Sequence, residues 1–126
     1  MKKELLLSNT EMSALKTLKR EISAGEYEFA VNRLYYALFY GAMAALLERG
    51  LSFKKHTGVR QAFHHEFIKK GLMEKNQGKL YDRLFEDRQE SDYTAVAEFN
   101  KEYVDNQLEN CITFLQELRP HIGTVE

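Results

Sequence analysis

The sequence contains 126 residues with a formal net charge of −1, a size that indicates one domain covering residues 1–126. Hydrophobic residues make up 44% and charged residues 29%, a composition that excludes a disordered or fibrous chain. The single cysteine, Cys111, excludes an internal disulfide framework and favours a reducing compartment. No apolar run is long enough for a signal peptide or a membrane span, so we expect a cytoplasmic protein without membrane contact.

Hydrophobic periodicity predicts five helices and no sheet. The first two helices cover about Thr10–Ala24 and Glu26–Arg49. A loop over residues 50–57 follows, and the third, shorter helix extends from there to about Lys70. The last two helices cover about Lys79–Ser91 and Ala97–Leu118. The second is apolar around most of its circumference, so we expect it at the centre. Because residues 92–96 contain neither Gly nor Pro, the last two helices could form one bent rod. The expected fold class is an all-α antiparallel helical bundle.

Charge is distributed unevenly along the chain. Residues 1–70 carry a net charge of +5 and residues 71–126 a net charge of −6. The basic stretch 49–70 also contains Phe53, Phe63 and Phe67, a combination that occurs in phosphate-binding patches with stacking residues. We favour the alternative that these phenylalanines form a core row or anchor a loop.

Arg88 is anomalous because it continues an apolar stripe of the fourth helix, seven residues after Tyr81 and four after Leu84. Asp92 lies four residues further on, within reach of Arg88 if the helix continues. An unpaired buried charge is very unfavourable, so both groups need partners. Two interpretations stay open: a salt bridge that closes the end of the bundle, or an arginine that binds phosphate while Asp92 orients it.

Arg33 is a second anomaly, because it lies in the most apolar helix close to Tyr36 and Tyr40. It could be buried, stacked on tyrosine and paired with a carboxylate of another helix, for which Asp92 is one candidate. The slightly favoured alternative is a surface arginine on the polar strip of this helix.

Other chemistries have little support in the sequence. The run His64-His65-Glu66 lacks the spacing of a metal-binding helix, and no glycine-rich phosphate loop is present. Cys111 falls on the apolar stripe of the last helix, which favours a buried, inert thiol. We therefore expect neither a metal nor a cofactor.

Three stretches, in this order and spacing, resemble the HEPN domain family (higher eukaryotes and prokaryotes nucleotide-binding), in its small single-domain prokaryotic branch. The stretches are Ala30–Phe39, His56–Arg60 and Gly78–Tyr93. The resemblance implies an all-α bundle of about five helices that commonly forms a homodimer. It also implies association with a nucleotide or RNA, and often a partner that is a minimal nucleotidyltransferase.

Many members of this family are metal-independent ribonucleases that act as toxins, and their motif is an Arg, a polar residue and a His after four to six intervening residues. Arg88-Gln89 matches the first half, but Asp92-Tyr93 occupy the region where the His would lie. A carboxylate beside an arginine is a weak base, so this departure affects the expected activity. The spacing of Arg60 and His65 also fits, but this pair lies outside the matching region and is interpreted as chance.

The favoured hypothesis is a HEPN-type binding module, a homodimer with a nucleotide or RNA cleft and a small nucleotidyltransferase as partner. The resemblance and the two anomalies place five residues in that cleft: Arg33, Tyr36, Arg88, Asp92 and Tyr93. One alternative is a metal-independent ribonuclease toxin of a toxin–antitoxin pair that lacks the usual His. Another is a purely structural dimer module in which Arg33, Arg88 and Asp92 form a buried network.

Overall fold

The protein is a helical bundle in the computed structural model, which describes residues 9–93 and 99–122. Its α-helices are α1 (Asn9–Ser23), α2 (Tyr27–Glu48), α3 (His56–Phe63), α4 (Lys75–Tyr93) and α5 (Lys101–Leu118). A π-helical segment, His64–Ile68, continues α3, and a 3-10 turn, Arg119–His121, follows α5. Because the described residues include five helices and no strand, the predicted all-α class is confirmed.

Glycines end three of the helical segments. Gly25, Gly50 and Gly71 have φ angles of 79°, 77° and 77°, a region that side chains other than glycine rarely adopt. After α2, the Leu51 N–H donates to the Leu46 carbonyl at 3.0 Å, which satisfies one of the carbonyls exposed at the helix end. Each of these glycines therefore allows its helical segment to end.

Helix α2 forms the centre of the bundle and contacts each of the other four helices. Its buried residues lie on several sides of the helix, as its apolar circumference predicts: Ala30, Val31, Leu34, Tyr35, Leu38, Phe39, Ala42, Ala45 and Leu46. Gly41 lets α5 come close, because a Cβ atom there would lie 3.0 Å from Leu118 Cδ2 and 3.1 Å from Leu115 Cδ2.

An aromatic cluster fills the space between α3, α4 and α5. The Phe63 ring lies 5.3 Å from the ring centroids of both Tyr81 and Phe114, and it stacks on Phe67 at 5.6 Å. All four rings are fully buried. Phe63 and Phe67 are therefore core residues, whereas Phe53 is partly exposed and packs against Gly58 as a loop anchor.

Two predicted boundaries are wrong. Helix α3 begins at His56, inside the stretch predicted as a loop, and α4 begins at Lys75 instead of Lys79. Gly78 lies inside α4, where a Cβ atom would approach His64 Cε1 to 2.7 Å. Glycine at this position therefore serves close packing between α4 and the π-helical segment, and does not mark a turn.

Helices α4 and α5 are separate, so the alternative of one bent rod is wrong. Residues 99 and 100 are not helical, and Asn100 has an extended backbone with φ −110° and ψ 171°. Its side chain accepts a hydrogen bond from the Tyr103 N–H at 2.8 Å, an N-cap that begins α5 at Lys101. Residues 94–98, which include part of the predicted break and the predicted start at Ala97, lie outside the described residues.

Candidate functional site

Arg88 of α4 contacts two tyrosines of α2. Its Nη2 donates a hydrogen bond to Tyr36 Oη at 2.9 Å. Its guanidinium carbon lies 5.4 Å from the ring centroid of Tyr35 and 5.2 Å from that of Tyr36, within the range of cation–π attraction. Arg88 and Tyr36 are both half-buried, so the structure brings together two of the five residues predicted for the cleft.

His56, the first residue of α3, contacts the same tyrosines. Its Nδ1 lies 2.9 Å from Tyr35 Oη, and its ring stacks on Phe39 with centroids 4.1 Å apart. The His56 ring also meets the Tyr36 ring edge-on at 5.8 Å. We call these five residues, Tyr35, Tyr36, Phe39, His56 and Arg88, the Arg88 cluster.

The electrostatics of the Arg88 cluster favour a neutral imidazole and a neutral phenol. Burial lowers the pKa of His56 below its ordinary value of 6.5, and the positive charge of Arg88 lowers it further. Burial raises the pKa of Tyr35 to about 12, against the opposing effect of Arg88. At neutral pH the imidazole of His56 and the phenol of Tyr35 are therefore uncharged beside the Arg88 guanidinium.

His56 was not among the five residues predicted for the cleft. Its position in the stretch His56–Arg60, one of the three that carry the family resemblance, was the available signal. His56 and Arg88 are 32 positions apart in the sequence, so sequence spacing does not show that both contact the same tyrosines. They do so because α2 packs against both α3 and α4.

Arg33 lies on the surface of α2, which agrees with the slightly favoured interpretation. Its side chain is 55% exposed, and its Nε donates to the Glu21 carboxylate of α1 at 2.7 Å. The carboxylate that pairs with Arg33 is thus Glu21 of α1. Arg33 and Tyr36 both line a groove of about 500 Å³ between α1, α2 and α5.

The remaining two predicted residues, Asp92 and Tyr93, end helix α4. Their side chains lie outside the described part of the structure, and so does the predicted pairing of Asp92 with Arg88. A carboxylate that the prediction missed is Asp87, which is buried and accepts a hydrogen bond from Tyr103 Oη of α5. Gln107 Nε2 donates to the same Tyr103 oxygen at 3.0 Å, so this network joins α4 to α5.

A second polar cluster lies next to the Arg88 cluster. Arg60 Nη1 donates to Asp82 Oδ1 at 2.7 Å, and His64 Nε2 lies 2.9 Å from the same oxygen. The Arg60 guanidinium also covers the Phe85 ring at 4.2 Å. Within residues 9–93 and 99–122, Arg60 binds Asp82 whereas His65 contacts Glu66, so their motif-like spacing brings them to no shared partner there.

The described residues contain neither a metal-binding group nor an accessible thiol. Nowhere in residues 9–93 and 99–122 do three or more His, Cys, Asp or Glu side chains form a group suited to a metal ion. Cys111 is buried, and burial raises its thiol pKa far above the ordinary value, as its position on an apolar stripe had indicated. Within the same ranges, each helix is too short or too polar to cross a bilayer.

The fold and the Arg88 cluster define a small all-α domain that carries an arginine, a histidine and two tyrosines in mutual contact. The sequence profile of the HEPN domain matches residues 8–120. The chain therefore belongs to the HEPN domain family, and the resemblance found in the three sequence stretches is confirmed.

Three relatives show how this chain compares with curated proteins. It is 50% identical to a "UPF0332 protein" of Thermotoga maritima over 86 residues, which cover 68% of this chain and 65% of that protein. It is 32% identical over 119 residues to "Putative toxin MJ0142" of Methanocaldococcus jannaschii, covering 94% and 80% of the two chains. "Putative toxin MJ0605" of the same organism is 40% identical over 69 residues, which cover 55% and 52%.

Proposed function

We propose that this protein is a HEPN-type module whose Arg88 cluster binds the phosphate of a nucleotide or RNA. In this proposal it acts as a homodimer with a small nucleotidyltransferase as partner. Membership of the HEPN domain family supports the general role. We assign the binding site to the Arg88 cluster because of the position of the Arg88 guanidinium.

That guanidinium is held in place before any ligand arrives. The hydrogen bond to Tyr36 Oη and the two tyrosine rings fix its orientation, and its side chain is half-buried. A planar guanidinium has the geometry to donate two parallel hydrogen bonds to a phosphate, and partial burial strengthens such a contact. In this proposal, Asp92 and Tyr93 complete the site from the end of α4.

An aromatic surface adjoins the arginine. Tyr36 stacks on Tyr40 with ring centroids 5.8 Å apart and an interplanar angle of 28°. Tyr40 is 60% exposed, so its ring is accessible to a ligand. Nucleobases stack on exposed aromatic rings with little dependence on sequence, which suits a nucleotide or RNA ligand.

The same side of α2 supports the proposed homodimer. Phe29 and Leu47 are 64% and 57% exposed, and their spacing of eighteen residues, about five helical turns, places them on one helical face. Large apolar side chains exposed along one helical face occur at protein contacts. The opposite net charges of residues 1–70 and 71–126 would favour the association of two copies in a defined orientation.

Replacing Arg88 with alanine tests the site directly. We expect the affinity for nucleotides or short RNA, measured by isothermal titration calorimetry, to fall about tenfold to 100-fold, because hydrogen bonds to charged groups contribute about 1.5–3 kcal/mol. Arg20→Ala, which removes an exposed arginine of α1, is the matched control and should retain the wild-type affinity.

Unchanged affinity in Arg88→Ala would exclude the Arg88 cluster as the binding site. Sedimentation velocity and thermal unfolding of the same variant test the purely structural alternative. That alternative predicts a dissociated dimer or a lower melting temperature for Arg88→Ala, with no nucleotide or RNA binding by the wild-type protein.

A growth-inhibiting toxin is the second candidate, and the names of the two Methanocaldococcus jannaschii relatives favour it. Induced expression of the wild-type chain should then arrest the growth of a bacterial host. Arg88→Ala should restore growth at equal protein levels, whereas Arg20→Ala should not. Normal growth of cells that accumulate the folded wild-type protein would contradict this candidate.

A further inference from the structure

We propose that the groove between α1, α2 and α5 binds an alkyl carboxylate, with the alkyl chain on its apolar walls and the carboxylate on Arg33. This inference does not rest on the proposed function, because Arg88 is not among the described residues that line the groove. The volume of the groove, about 500 Å³, lies in the range of clefts that take small organic ligands.

The walls of the groove are mostly apolar. All three helices contribute aliphatic side chains to them: Leu15, Leu18, Leu34, Leu108, Ile112 and Leu115. Along α2 the lining extends from Phe29 to Tyr40, a spacing of eleven residues or about 16 Å of helix. An elongated apolar surface favours a flexible alkyl chain, because such a chain can follow the groove and shield its walls from water.

Arg33 provides the only charge among the described residues that line the groove. It lies near the end of the groove at the turn between α1 and α2, because its partner Glu21 belongs to the last turn of α1. Asn32 adds an amide beside it. Apolar walls with one cation near one end match a ligand that has an apolar body and a single anionic end.

The ion pair with Glu21 leaves most hydrogen-bond donors of Arg33 available. Both oxygens of the Glu21 carboxylate accept from Nε, each at 2.7 Å. The guanidinium has four further N–H donors on Nη1 and Nη2, and neither atom has a hydrogen bond to any residue within 9–93 or 99–122. Because the Arg33 side chain is 55% exposed, a carboxylate can reach these donors and accept two parallel hydrogen bonds.

The same contacts favour a carboxylate over the other candidate occupants. Glu21 already balances one positive charge, so a doubly charged phosphate would be repelled by it more strongly than a singly charged carboxylate. A second copy of this chain could cover the exposed rings of Phe29 and Tyr40 at the groove. Its apolar side chains would, however, cover the Arg33 donors without forming hydrogen bonds to them, which is unfavourable.

Isothermal titration calorimetry with sodium decanoate, below the concentration at which it forms micelles, tests the site. We expect one saturable site per chain, with an affinity about tenfold higher than that for decanol, which has the same alkyl chain and no charge. Arg33→Gln should lower the affinity for decanoate about tenfold and leave that for decanol unchanged. Arg20→Gln, at an exposed arginine of α1 outside the groove lining, is the matched control and should bind both compounds like the wild-type protein.

Nuclear magnetic resonance of the wild-type protein locates the site without any variant. Decanoate should shift the methyl signals of Leu15 and Leu108, whereas Leu72, an exposed leucine outside the groove lining, should not respond. Absence of saturable binding, equal affinities of the wild-type protein for decanoate and decanol, or equal shifts at Leu72 would each overturn the inference.

A decanoate affinity that falls as the protein concentration rises and dimers form would assign the groove to a second copy of the chain and would also overturn the inference. Phosphate binding by the Arg88 cluster is tested separately with Arg88→Ala. That proposal would stand in each of these cases.

Discussion

Phe114→Ala should lower the free energy of unfolding by about 3–5 kcal/mol, the usual loss when a buried phenylalanine is truncated. Phe114 is fully buried and contacts the rings of Phe63 and Tyr81, with centroids 5.3 Å and 6.2 Å away. Its removal leaves a cavity among side chains from three helices, which cannot all move inward to fill it. Urea unfolding followed by circular dichroism measures the loss, and the melting temperature should fall by about 10–20 °C.

Phe29→Ala is the matched control, because the same substitution is made at a ring that is 64% exposed. Its effect on unfolding should be within about 0.5 kcal/mol when measured at a concentration where the chain is monomeric. Equal losses for Phe29→Ala and Phe114→Ala would contradict the position of the core described above.

Alkaline pH should destabilise the protein steeply, because three tyrosines have raised pKa values. Burial is the main cause for Tyr35, Tyr81 and Tyr103, and it raises the pKa of Tyr35 to about 12. In the unfolded chain these phenols ionise near pH 10, whereas the folded protein keeps them neutral. Their contribution to stability is therefore complete below pH 10 and is lost as the pH rises through the folded values, about 2–3 kcal/mol between pH 10 and 12 for Tyr35 alone.

Tyr81→Phe separates this effect from general alkaline damage. The Tyr81 hydroxyl is buried and has no hydrogen-bond partner in the described structure, so its removal should change stability little at pH 7. Above pH 10, urea unfolding should show a smaller decline for Tyr81→Phe than for the wild-type protein. Parallel declines of the two proteins would show that burial of this phenol does not govern the alkaline transition.

Local sequence signals predicted the helices well because they act over a few residues. Gly25, Gly50 and Gly71 end helices through their own backbone conformation, and the apolar circumference of α2 follows from its composition. Gly78 shows the limit of such signals. Its role depends on His64, fourteen residues away, and a glycine used for close packing looks the same in sequence as a glycine used for a turn.

The candidate site was predicted only in part for the same reason. Periodicity identified Arg88 as a charge on an apolar stripe, and family resemblance placed it beside Tyr36. Two pairings could not be derived, because Arg33 with Glu21 and Tyr35 with His56 join different helices. Only the packing of α2 against its neighbours brings these side chains together.

The contacts of Arg88 with Tyr35 and Tyr36 have an entropic consequence for recognition. An unrestrained arginine side chain loses about 2 kcal/mol of rotational freedom when a ligand immobilises it. Here folding has already restricted those rotations through the two aromatic rings and the Tyr36 hydroxyl. A phosphate that reaches this guanidinium therefore meets a preorganised receptor, and more of the interaction energy is retained as affinity.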